Sequence, residues 1–212
     1  MADDPAKIRP YRSADLEDLY RICLHTADNG QDASALFSDP MLPGHVFAAP
    51  YGIFEPSLAW VAEDSAGAAG YVLGALDTGV FEERLEHDWW PELRARYPDP
   101  GHVTAAVSEL ERFTLQALHQ PFTTDPGLVN RYPSHLHIDL LPRLQGRGFG
   151  RRLIETLLAA LRASGSAGVH LHVGRGNQRA AEFYRHVGLT ELPTAGGARV
   201  FVMKLAEQTP QE

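Results

Sequence analysis

The chain carries a single cysteine, Cys23, in 212 residues, so no internal disulfide framework can stabilise it. As a lone thiol, Cys23 is expected to be a small buried hydrophobe. No stretch approaches the roughly 18 apolar residues of a membrane span. The opening MADDPAKIRP has no basic segment followed by an apolar one, so neither secretion nor membrane insertion is expected, and the expected compartment is the cytoplasm. Basic residues are also scarce. Lys and Arg number 19 against 27 Asp and Glu, a net charge of −8, which argues against a nucleic-acid binder because phosphate neutralisation needs a basic surface.

With 44% hydrophobic residues the chain can bury a substantial core. No linker or internal repeat interrupts it, and we expect a single domain over residues 1–212. KIRPYR is a short strand candidate. SADLEDLYRICLHT follows as a helix, with Ser13 or Asp15 as N-cap and Leu16, Leu19, Tyr20 and Cys23 on one face. SLAWVAED and AAGYVLGALD are two apolar strands joined by the turn SAG, hence a hairpin. Residues 81–100 and 106–120 each suggest a helix, separated by Pro-Asp-Pro-Gly at 98–101. The second half alternates: strand SHLHIDLL, a glycine loop, helix GRRLIETLLAALRASG, strand GVHLHV, helix NQRAAEFYRHVG and strand RVFVMKL. Strands joined through helices imply parallel neighbours in an α/β sheet.

The glycine loop holds the chemistry. LPRLQGRGFGRRL places Gly146, Gly148 and Gly150 among Arg143, Arg147, Arg151 and Arg152, between a strand and a helix. Such a loop presents free backbone N–H groups at the positive end of the helix dipole, where a phosphate is favoured. No lysine follows the glycines, so this is not a P-loop. A dinucleotide fingerprint fails too, because Arg151 and Leu153 occupy the third glycine position in the two possible registers. Strand alternation puts His137 and Asp139 on one face, opposite Leu136, Ile138 and Leu140. It sets His170 and His172 against Leu171 and Val173 likewise. Such a polar face suits a wet cleft or a hydrogen-bond network, and we expect no metal on it.

Gln145, Gly148 and Gly150 fit the pattern Q-x-x-G-x-G, which, with Pro142 and the preceding strand, resembles the pyrophosphate loop of the GNAT acetyltransferase superfamily. VHLHVGRGNQRAAEFYRHVGL resembles the second cofactor motif of that superfamily, including Asn177 and Tyr184. These two residues stand seven apart, about two helical turns, and so roughly 10 Å apart along one helix face. Blocks such as GYVLGALDTGVF, WWPELRARYPDP, YPSHLHIDLLP and AAEFYRHVGL are similar to the acetyltransferase-like domain that ends O-GlcNAcase, over most of residues 8–205. The resemblance carries no expectation of O-GlcNAc hydrolysis.

This resemblance implies an α/β (α+β) GNAT fold: a mixed central sheet with splayed parallel strands 4 and 5, flanked by helices. Residues 78–133 would be a helical insertion between strands 3 and 4, on the acceptor side. Acetyl-CoA would be the co-substrate and an unidentified amine the acceptor. Backbone groups of Ile138, Asp139 and Leu140 would pair with pantetheine. The loop from Gln145, Gly146, Arg147 and Gly148 through Phe149, Gly150 and Arg151 would hold the pyrophosphate. Asn177 would bind the pantetheine arm, Tyr184 would protonate the leaving thiolate, and Asp139 would be the base or its water-relay partner. In the inserted region, Trp89, Trp90 and Tyr97 offer either an aromatic wall for a substrate or an anchor for the inserted helices. Glu82, Glu83, Glu86 and Asp88 either attract a cationic amine or form a solvated face. A non-catalytic acetyl-CoA or acyl-CoA binding module is the other class of function that these residues allow.

Overall fold

The computed structural model describes residues 6–102, 107–194 and 196–205; the expected helix start at Ala106 lies outside them. Seven strands form one sheet in the order β1-β2-β3-β4-β5-β7-β6. They are β1 (Lys7–Pro10), β2 (Ala59–Asp64), β3 (Gly67–Ala75), β4 (Ser134–Leu140), β5 (Gly168–Gly174), β6 (Thr190–Leu192) and β7 (Ala198–Lys204). β1 through β4 pair antiparallel, with β2 and β3 as the expected hairpin. β4 and β5 pair parallel only at Ser134 with Val169 and His135 with His170, and beyond that they diverge. This is a GNAT fold, with its splay between the fourth and fifth strands.

The last strand departs from the sequence reading. β7 runs antiparallel to β5, because the short β6 intervenes after the final helix and turns the chain back in a hairpin. Three residues are too few for a periodicity signal.

Helix α1 (Leu16–Leu24) covers one face of the sheet and α8 (Phe149–Ala163) the other. α8 buries Leu153, Ile154, Leu157, Leu158 and Leu161 almost completely, at about 1.5 to 3 kcal/mol for each side chain. Gly74 of β3 lies under this stripe, where an added Cβ would stand 2.7 Å from Leu157. Ser13 does not cap α1. Asp15 holds the N-cap position of α1, but its side chain makes no cap bond and is a buried anchor: its carboxylate takes both Arg9 amino groups at 2.7 Å and the Arg12 amide at 2.7 Å. Burial alone would raise that carboxyl, but Arg9 and Arg12 hold it below the usual carboxylate range.

Two short helices were not legible in the sequence, α2 (Leu42–Phe47) and α3 (Ala49–Phe54). Pro43, Gly44, Pro50 and Gly52 disguise them, although each proline sits in a first turn, where its missing N–H costs nothing. Between β3 and β4 the chain forms α4 (Thr78–Asp88), α5 (Trp90–Arg96), α6 (Glu109–His119) and α7 (Pro126–Arg131). The helix expected over 81–100 is thus two. Pro91 cannot donate to the preceding turn and its ring crowds that turn's carbonyl, so the chain breaks at Trp89 and restarts. Phe81, Leu85, Trp90, Leu93, Tyr97, Leu115 and Leu118 form a second core with Leu24, Phe37 and Leu42.

Candidate active site

α8 begins at Gly148, whose φ of +81° places it in the left-handed region that glycine tolerates best, and no side chain caps the helix. Among the described residues, no partner engages the backbone N–H groups from Gly146 to Arg151. Open amides at the start of a fifteen-residue helix make an anion site. Gly150 has another reason to be glycine, since a Cβ there would stand 3.0 Å from the Phe183 ring.

The loop side chains are mostly committed. Gln145 Nε2 donates to the Leu140 carbonyl at 2.7 Å, and its Oε1 accepts from Arg179 at 2.6 Å, tying the end of β4 to helix α9 (Gln178–His186). Arg143 is spent on Asp64 and on the carbonyls of Gly67 and Ala68. Phe149 is buried, with the guanidinium of Arg152 over its ring at 4.9 Å and that of Arg147 at 5.8 Å. Arg151 Nη2 makes a 3.3 Å bond to the His186 carbonyl.

The splay exposes one edge of β4. Leu141 N donates to the Ala69 carbonyl, which fixes the pairing phase, so Asp139 turns its main chain toward β3. Ile138 and Leu140 turn theirs toward the gap, and the Leu140 carbonyl is already held by Gln145. The backbone run expected to meet pantetheine therefore narrows to Ile138 and the Leu140 amide.

His135, His137 and Asp139 share one face of β4. His135 is fixed as the neutral Nδ1–H tautomer. Thr78 Oγ1 donates to the Pro133 carbonyl and so accepts from Nδ1, while the Tyr51 hydroxyl donates to Nε2, both at 2.8 Å. Burial first, then the neighbouring histidines, lowers this imidazole to about 3. His170 is buried, donates Nδ1–H to the Tyr132 carbonyl at 2.8 Å, and is lowered by burial to about 4.

Farther along the strand, Asp139 Oδ2 accepts from the hydroxyl of Tyr71, its cross-strand partner on β3, at 2.6 Å. His137 Nε2 approaches the same oxygen to 3.0 Å, without hydrogen-bond alignment. Cys23 Sγ, a His137 nitrogen and an Asp139 oxygen lie within 4.8 Å of one another. Burial pushes the Cys23 thiol up, so it keeps its proton, and Tyr71 already occupies Asp139.

Tyr184 on α9 is 8% exposed and packs against Phe183 and Phe201. Its hydroxyl has no protein partner among the described residues, although burial and then the Asp139 charge push its pKa up. A phenol in that condition holds its proton until a stronger base arrives. Asn177 accepts the Ala180 amide at 3.0 Å as N-cap of α9, leaving its NH₂ without a protein partner. Trp90 and Tyr97 lie in the second core, and Trp89 Nε1 donates to the His45 carbonyl, so these aromatics anchor the helices between β3 and β4. Glu82 binds Thr124, Glu86 pairs with Arg94, and Asp88 pairs with Arg84.

An uncapped glycine-loop helix beside a splay between parallel strands defines a GNAT-type acyltransferase. The chain belongs to the GNAT acetyltransferase family, whose members use acetyl-CoA. The family model described as "Acetyltransferase (GNAT) family" matches residues 124–189. The crystal structure of SsHAT is similar at a TM-score of 0.86 and 41% identity, over 95% of this chain and 99% of that one. Protein O-GlcNAcase of Rattus norvegicus is 28% identical over 192 residues, 90% of this chain, and that of Mus musculus is equally similar. The chain spans about 20% of the length of these two relatives. A Salmonella typhimurium acetyltransferase, yncA, solved with its cofactor acetyl-CoA, shares the fold at 14% identity, over 99% of each chain, with a TM-score of 0.56.

Proposed function

We propose that the protein transfers acetyl from acetyl-CoA to an amine by direct attack within a ternary complex. The observation that carries this reading is the run of unengaged amides from Gly146 to Arg151 at the uncapped start of α8, beside the open edge of β4. The pyrophosphate would sit on those amides, and pantetheine would lie along Ile138 and Leu140 toward Asn177. The thioester would then lie between Asp139 and Tyr184, whose proton is retained through burial and then through the Asp139 charge. Asp139 supplies the negative charge that assists removal of the amine proton, directly or through a relay, and Tyr184 supplies a proton to the departing thiolate. The segment 78–133 would be an insertion that closes the acceptor side, with its aromatics spent on anchoring.

Thiol release from acetyl-CoA, measured with spermidine, glucosamine, a lysine peptide and a peptide with a free N-terminus, tests the proposal. Amine-dependent release is the expected result. Acetyl-CoA binding without release for any of these amines would favour the binding module instead.

A further inference from the structure

We propose that His137 takes the proton from the attacking amine, with Asp139 acting through it and Tyr71 holding Asp139 in place. This rests on the acetyltransferase reading above.

Four observations converge on His137. Its Nε2 is buried, with Asp139 Oδ2 at 3.0 Å and no other partner. Its Nδ1 has no protein partner among the described residues and is not buried, so that nitrogen is open to a substrate. Its ring packs near those of Phe47 and Tyr71, at centroid distances of 6.4 and 5.7 Å and interplanar angles of 30° and 35°. Asp139 is only 18% exposed, and its Oδ2 faces two donors, the Tyr71 hydroxyl and His137.

Base strength separates the two candidates. An imidazole is by its chemistry a stronger base than a carboxylate. Asp139 is then better used to hold Nε2–H, which leaves the Nδ1 lone pair facing the cleft. Alignment of such pairs commonly tightens only when substrate binds.

The step balances within the protein. The amine nitrogen lone pair forms a bond to the thioester carbonyl carbon, and the amine proton moves to His137 Nδ1. The tetrahedral adduct then breaks its C–S bond, and the sulfur takes the Tyr184 proton. Solvent exchange returns the proton from His137 to Tyr184, so that one proton passes in net from amine to thiol.

Ring-nitrogen NMR of ¹⁵N-histidine protein, with the His137 signals assigned by their loss in His137→Gln, tests the arrangement. The expected result is an Nε2–H tautomer that loses its preference in Asp139→Asn. An Nδ1–H tautomer, or one indifferent to Asp139→Asn, overturns the proposal. Thiol release with the amines above gives the second readout. His137→Gln should lower kcat about 10²-fold or more with acetyl-CoA affinity kept, and free imidazole should restore part of the turnover of His137→Ala. Turnover that survives His137→Gln overturns this proposal alone. A wild-type protein that releases no thiol with any amine overturns the acetyltransferase reading and this one with it.

Discussion

The phenol of Tyr71 and the carboxylate of Asp139 face each other across β3 and β4, and the hydroxyl donates to Oδ2 at 2.6 Å. Tyr71 is fully buried, so this bond sets the carboxylate from inside the core. Tyr71→Phe removes the donor and keeps the ring. We expect a stability loss of about 1 kcal/mol, because water can reach the half-buried carboxylate and take the place of the phenol. Turnover should fall about tenfold, since a misplaced group loses alignment. Urea unfolding and thiol release on the same preparation check both; a collapse in stability with full specific activity would make the pair purely structural.

Gly148→Val should abolish acetyl-CoA binding measured by calorimetry. At φ +81° a β-branched residue is strained, and its side chain would project into the open space beside the amides that are to receive the pyrophosphate. The strain itself costs on the order of 1 to 3 kcal/mol, so a folded variant is expected, and circular dichroism verifies it. Undiminished affinity would remove the phosphate site from this loop.

Gly150→Ala acts differently. Its Cβ would meet the Phe183 ring at 3.0 and 3.2 Å, so the ring must give by a few tenths of an ångström, at a cost of about 1 kcal/mol. A lower urea midpoint is expected, and a midpoint equal to wild type would show that the ring yields freely.

Tyr184→Phe should leave acetyl-CoA affinity within a few-fold and lower turnover by ~10² to 10⁴. A ground-state hydrogen bond is worth only about 0.5 to 1.5 kcal/mol, tenfold at most, so the two roles separate by magnitude. Equal losses in affinity and rate would leave Tyr184 a binding residue only.

Acid should destabilise the fold through His135 and His170. Both are held neutral in the native state, at about 3 and about 4, whereas an unfolded histidine takes its proton near ~6.5. The unfolded chain therefore binds more protons below that value. Stability is complete above pH ~6.5 and falls as the pH drops toward about 4, by about 1.4 kcal/mol per pH unit for each group. Melting temperature followed from pH 8 to 4 checks this, and His170→Asn should flatten the slope; a flat wild-type profile would contradict the buried, neutral assignment.

Much of this molecule was legible in the residues. The 3.6-residue stripe of α8 and the alternation of SHLHIDLL are short-range patterns, set by the periods of helix and strand, and they placed both elements and put His137 beside Asp139. Gly146 and Gly148 likewise announced a loop, and in the structure both adopt left-handed backbone. The sequence hid α2 and α3, because proline and glycine in first turns look the same as in loops, and it hid β6, which is three residues long. Tyr71 and Phe47 carried no local signal at all. They reach the site only because the β3–β4 register sets Tyr71 opposite Asp139 and α2 lays Phe47 beside the His137 ring. Local chemistry is written in spacing along the chain. The partners that orient it come from strand register and helix docking, which depend on burying apolar faces contributed by distant segments, and only the folded sheet decides those.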